Sequence, residues 1–174
     1  MKRILIISDN HGFFSHELDV HVKSADEIWH AGDIGSLDSL RSYMATKPFK
    51  AVFGNIDDLD IRQTFPQNLV FECEGLTILM THIGGYPGKY PTKIKQWIQS
   101  QGADIFVCGH SHICKVMKDP VLGHWHINPG SYGHHGFHHM RTAILLTLDR
   151  GKIINMSVIE LGKRGIVDKE MTLE

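Results

Sequence analysis

Five apolar runs in the first two thirds of the chain each stop on Asp, Asn or His, and this constrains the fold more than any other feature. LIIS ends in Asp9-Asn10-His11, IWHA in Gly32-Asp33, AVF in Gly54-Asn55, ILMT in His82, and IFVC in Gly109-His110-Ser111-His112. Apolar runs this short read as buried strands, and the stretches between them carry helical spacing. Open α/β sheets bind ligands beyond the carboxyl ends of their strands. Five neighbouring ends would therefore turn two aspartates, one asparagine and four histidines into one crevice. A lone Asp after a strand is ordinarily a turn or helix cap. A structural role does not account for the same pattern at consecutive strand ends.

The coarse reading places strands at 2–7, 27–31, 50–53 and 104–108, and a hairpin over 69–73 and 76–81. Helical stretches fall at 18–25, 37–45 and 92–100, the last stopped by Gly102. The final third changes to strands at 114–117, 124–127, 142–148 and 153–161, with a turn at Asp149-Arg150-Gly151-Lys152. Two packed sheets with helices outside accommodate this order. Two local arguments aim the polar residues. The two-residue spacing in Asp9-x-His11 and His110-x-His112 places each pair on one face of a strand end. The glycines before Asp33, Asn55 and His110 allow sharp turns.

Histidine is the compositional anomaly: 13 among 174 residues, against 8 Phe and 6 Pro. Otherwise the chain reads as one ordinary globular domain over 1–174, with 42% hydrophobic residues and no repeat or linker. No apolar run reaches the ~20 residues of a membrane helix, and MKRILIISDN meets its acidic break too early for a secretory signal. Lys and Arg total 18 against 19 Asp and Glu, a net charge of −1. That balance offers no footprint for long duplex nucleic acid. Cys73, Cys108 and Cys114 lack a framework spacing and read as reduced packing residues of a cytoplasmic protein.

Taken in order, Ser8-Asp9-Asn10-His11-Gly12, Gly32-Asp33, Gly54-Asn55-Ile56-Asp57, Thr81-His82, Gly109-His110-Ser111-His112 and Asn128-Pro129-Gly130-Ser131 resemble the calcineurin-like metallophosphoesterases. The closer resemblance is to the small YfcE-type bacterial and archaeal phosphodiesterases. It implies a four-layer α/β/β/α sandwich with a dinuclear metal centre. Asp9, His11 and His112 would hold one ion, Asn55, His82 and His110 the other, and Asp33 both. Mixed imidazole, carboxamide and carboxylate donors suit Mn, with Fe, Zn or Ni as alternatives, better than Mg. The implied reaction is hydrolysis of a small phosphodiester by a hydroxide bridging the two ions, with Asp33, Asn55 and His82 as the catalytic set.

Many superfamily members carry a histidine after Gly-Asn that protonates the leaving alkoxide. Ile56 stands there and cannot. General acid catalysis is worth about 10²–10⁴-fold, so phosphodiesters or activated esters are expected over alkyl monoesters. Asp57 and Asp58 read as replacement acids, as orienters of His82, or as an exposed turn. In Tyr132–Met140, His134, His135, His138 and His139 read as a phosphate clamp or substitute acid at the rim, with His134 and His135 the named substrate contacts, as extra metal-binding groups, or as a solvated loop. Arg141 is a candidate phosphate donor or a strand cap, and Tyr86, Lys89 and Tyr90 candidate cleft residues. Trp29, Trp97 and Phe106 read as core, and His16, His21, His30, His124 and His126 receive no role. The reading from another class is a catalytically weak interaction scaffold, the route taken by the metallophosphoesterase-like subunit of retromer. Whether the chain acts alone or as a homo-oligomer is left open.

Overall fold

A computed structural model describes residues 1–165. The single domain expected over 1–174 therefore extends past the described residues at 166–174. Among the described residues, ten strands form two five-stranded sheets. The first has the order β10 (Lys152–Lys163), β9 (Met140–Asp149), β1 (Lys2–Ile7), β2 (Glu27–His30), β3 (Phe49–Ala51). The second has the order β4 (Asn68–Cys73), β5 (Leu76–Thr81), β6 (Ile105–Val107), β8 (Trp125–Pro129), β7 (Cys114–Lys118). Strands β1, β2 and β3 run parallel, as do β5, β6 and β8, and antiparallel strands flank each trio.

Period-two alternation decides which face each side chain serves. Ile4 and Ile6 of β1 join Trp29, Ile78, Met80, Val107 and Ile144 in a core between the sheets. The intervening Leu5 and Ile7 face outward and pack with Leu18, Val22, Leu40, Tyr43 and Ile61. Those partners come from α1 (Asp19–Ser24), α2 (Arg41–Thr46), α3 (Leu59–Thr64) and two 3₁₀ turns, His16–Leu18 and Leu37–Leu40. On the far side, Leu79, Phe106 and Cys108 pack under Ile98 of α4 (Thr92–Gln101). The layers are thus α/β/β/α, as the resemblance implies. Strand β1 is buried on both faces, which is why it reads as a continuous apolar run rather than an alternating one. All four of its last residues are fully buried, each worth roughly 1.5–3 kcal/mol of transfer free energy.

Three local details differ from the coarse reading. Helix α3 occupies a stretch to which the sequence assigns no element, and Asp58 caps it by accepting from the Ile61 amide at 3.1 Å. The helix expected over 37–45 divides into a 3₁₀ turn and α2. The third strand ends at Ala51, not Phe53.

Candidate metal centre

The seven candidate ligands lie in loops, not on strands, and the loops continue the parallel pairing. Beyond β1 and β2, the Asp9 amide donates to Gly32 O at 3.0 Å and the His11 amide to Asp33 O at 3.1 Å. Beyond β5 and β6, the Gly109 amide donates to His82 O at 3.0 Å. The two sheet edges meet where the His110 amide donates to the Asp9 carboxylate, 3.2 and 3.1 Å from its two oxygens. One group contains Asp9, His11, Asp33 and His112, another Asp33, His82 and His110, each with donor atoms within 4.8 Å of one another. Asp33 is common to both. Asn55 shares the same cleft wall with His11, Asp33, His110 and His112.

Backbone strain is concentrated here. Among the described residues, seven non-glycines have positive φ; five are Asp9 (56°), His11 (48°), Asp33 (54°), His110 (69°) and His112 (60°). The left-handed region is uncommon for non-glycine residues and costs about 1–3 kcal/mol each where it is imposed. This corrects the same-face argument. Strand β6 ends at Val107, so His110 and His112 are aimed by left-handed turns and fall in different groups. The glycine argument also changes. Gly54 and Gly109 do not have positive φ. A Cβ on Gly54 would lie 2.0 Å from Asp33 Oδ1, and one on Gly109 would lie 2.7 Å from Asp9 Oδ2. These glycines let the backbone touch the carboxylates.

The donor set fits a divalent cation. His82 Nδ1 lies 2.8 Å from Ala31 O and His112 Nδ1 lies 2.9 Å from His135 O. A carbonyl only accepts, so both rings carry the proton on Nδ1 and turn the Nε2 lone pair inward, the usual arrangement of metal-ligating histidine. His82 Nε2 is buried without a hydrogen-bond partner. It lies 3.2 Å from Asp33 Oδ1, and His112 Nε2 lies 3.2 Å from Asp9 Oδ1. Asp9 and Asp33 are buried, and among the described residues neither meets a Lys or Arg. Burial lowers the pKa of His82 and His112, yet the neighbouring Asp33 and Asp9 carboxylates outweigh it and raise both. Without a cation the carboxylates thus draw protons onto the rings, and a divalent ion would displace them.

The motif residues outside the ligand set hold these loops. Asn128 Nδ2 donates to Gly109 O at 2.8 Å and Ser111 Oγ at 3.1 Å. Ser131 Oγ donates to Asp9 O at 2.7 Å. His30, which the sequence leaves without a role, donates from Nε2 to Asn10 Oδ1 at 2.9 Å and accepts the Gly32 amide on Nδ1 at 3.2 Å. It is a positioning residue, and its place inside EIWHA is the signal that could have flagged it. Asp57 accepts from the Gly35 and Gly54 amides at 2.8 and 2.7 Å and is buried, so it neither orients His82 nor forms an exposed turn.

Matching the calcineurin-like phosphoesterase superfamily domain, residues 1–151 account for most of the chain. The chain belongs to that superfamily. A probable metallophosphoesterase of Methanothermobacter thermautotrophicus is 31% identical over 111 residues, spanning 63% of this chain and 62% of that protein. A Streptococcus pneumoniae protein described as a predicted phosphoesterase superposes with TM-score 0.69 at 21% identity, over 91% of this chain and 89% of that one. The zinc complex of Vps29 from Entamoeba histolytica gives TM-score 0.66 at 16% identity, over 94% and 99%. These two structural likenesses establish the fold. Membership makes the chain a metallophosphoesterase-superfamily protein with a divalent-metal site. Among the described residues, no helix is long and apolar enough to cross a membrane.

The substrate candidates separate. His135 stacks on His11 with ring centroids 4.5 Å apart and lines the metal cleft. His138 of the same loop lines it too. His134 packs edge-on against Phe13 and bonds Arg164 O. Arg141 is 5% exposed, with Nη2 donating to Glu17 at 2.9 Å and to Leu161 O. It ties β9 to β10 instead of facing the metal cleft. Tyr90 bridges His124 and His126 at 2.9 and 3.0 Å, away from the ligands.

Proposed function

We propose that this protein is a metal-dependent phosphodiesterase with a dinuclear centre, acting on a small phosphodiester. The observation that carries the reading is Asp33, a buried carboxylate common to two ligand groups. Two divalent ions held there would supply positive charge to the phosphoryl oxygens and the Lewis acidity that makes water a nucleophile near neutral pH. Asp9, His11, Asp33 and His112 would hold one, and Asp33, Asn55, His82 and His110 the other. Manganese suits this mixture of nitrogen and oxygen donors. The Ala31 and His135 carbonyls fix the tautomers that keep Nε2 available. Asn55 stands at the cleft wall where a phosphoryl oxygen would arrive, and His135 at its rim.

Ile56 is 44% exposed on the same wall and has no proton to give. Esters whose leaving groups need protonation should therefore suffer most. The test is metal-stripped protein restored with manganese and offered bis-p-nitrophenyl phosphate and p-nitrophenyl phosphate. Diester hydrolysis should exceed monoester hydrolysis and fall by about 10³-fold or more in Asp33→Ala, the loss expected for a principal electrostatic group. Bound manganese without hydrolysis of either ester would favour the scaffold reading instead.

A further inference from the structure

A second cleft of about 450 Å³ opens beside the metal cleft and shares Asn55 with it; His82 and Gly54 also stand in its wall. Its wall also carries chemistry that phosphoester cleavage does not need. Lys93 and Arg62 supply two positive charges, and no acidic residue lines the cleft. Lys93 pairs with no carboxylate among the described residues. Arg62 is held by Nε on Asp57 O at 2.7 Å and by Nη2 on Asn55 O at 3.2 Å. Its guanidinium lies over Phe53, 4.8 Å from the ring centroid. Trp97, read from sequence as core, stands half-buried in the wall beside Ile94. In a chain of net charge −1, this cation pair with an aromatic wall is a local exception.

We propose that this cleft binds the part of the substrate on one side of the scissile phosphorus, and that this part is a nucleotide bearing its own phosphate. The proposal rests on the phosphodiesterase reading above. A flat ring would lie against Trp97 and Ile94, a contact worth most when the ring is aromatic. Asn68 and Thr81 offer amide and hydroxyl groups to its edge. The second phosphate would meet Lys93 and Arg62 in charge-assisted hydrogen bonds. A cyclic nucleotide has one phosphate, which the metal ligands claim, so it would leave both cations unanswered. A glycerophosphodiester brings no ring to Trp97. The volume lies within the range of small-molecule sites.

The test compares pApA with its dephosphorylated form ApA on manganese-loaded protein. The kcat/KM ratio should favour pApA by about tenfold, the value of one good charged contact, and Lys93→Glu should bring it to about unity. Metal content per chain, measured by atomic emission, should stay at the wild-type level in that variant. Equal rates on the two dinucleotides in the wild type, or a ratio that survives Lys93→Glu, would overturn the subsite. A binding arm separates this from failure of the reaction. Adenosine 3′,5′-bisphosphate should quench tryptophan fluorescence saturably, and Trp97→Phe should remove the quench. If bis-p-nitrophenyl phosphate is not cleaved but the quench persists, the subsite stands and the phosphodiesterase reading falls. No quench in the wild type would sink the subsite.

Discussion

His30 is fully buried and uses both ring nitrogens, one accepting the Gly32 amide and one donating to Asn10. Only the neutral ring can do both. Burial pushes its pKa down to about 3. The unfolded chain, with an ordinary histidine near 6.5, binds the extra proton between those values. The stability contributed by this ring is therefore complete above about pH 6.5 and is lost as pH falls toward 3. Well below 6.5 the loss approaches about 1.4 kcal/mol per pH unit. His126, with a pKa lowered to about 4 by burial, adds to the same slope. Urea denaturation at pH 7, 6 and 5 should give a steeper decline for wild type than for His30→Gln, by about one proton. Parallel declines would mean that His30 is not held neutral. The variant should also bind manganese more weakly, because Asn10 and Gly32 flank Asp9 and Asp33.

At the level of elements, the loop after β3 depends on a residue the sequence presents ambiguously. Asp57 gathers the Gly35 and Gly54 amides, which joins the loop after β2 to the loop after β3 and holds Asn55 beside Asp33. Asp57→Ala orphans two amides, and we expect a loss on the order of 3 kcal/mol together with weakened metal binding. Asp58→Ala removes only the α3 cap, about 1 kcal/mol, and should leave metal affinity unchanged. Denaturation and manganese titration of the two variants check the contrast. The strands, and which polar residues gather beyond them, were legible because apolar runs and their polar endings are local features. The division of His110 and His112 came only from the family resemblance and not from their spacing, because it depends on left-handed backbone and on a contact between two sheets. Gly54 and Gly109 were legible as glycines but not for the right reason, since their neighbours are distant in sequence. Arg141 sits near the histidine loop in sequence, yet its guanidinium is drawn to Glu17, 124 residues away.

Over the whole molecule, the ligand cluster joins the two sheets at their edges. The first sheet supplies Asp9, His11, Asp33 and Asn55 through its loops, and the second supplies His82, His110 and His112. Between these edges the sheets are held by the apolar core, whereas the site itself contributes buried carboxylates and left-handed backbone that cost stability. Metal binding should offset that cost, because an ion that binds only the folded state stabilises it by about 2.7 kcal/mol at a free concentration 100 times its dissociation constant. For a domain of this size that corresponds to a Tm rise of about 5–10 °C. Differential scanning calorimetry of stripped protein with and without manganese should show the rise, and Asp33→Ala should show most of it lost. Hydrogen exchange should slow on manganese addition at the amides of 9–12 and 109–112, one loop from each sheet. Protection confined to one of the two loops would mean that the ions do not bridge the sheets, and would remove the basis for assigning Asp33 to both.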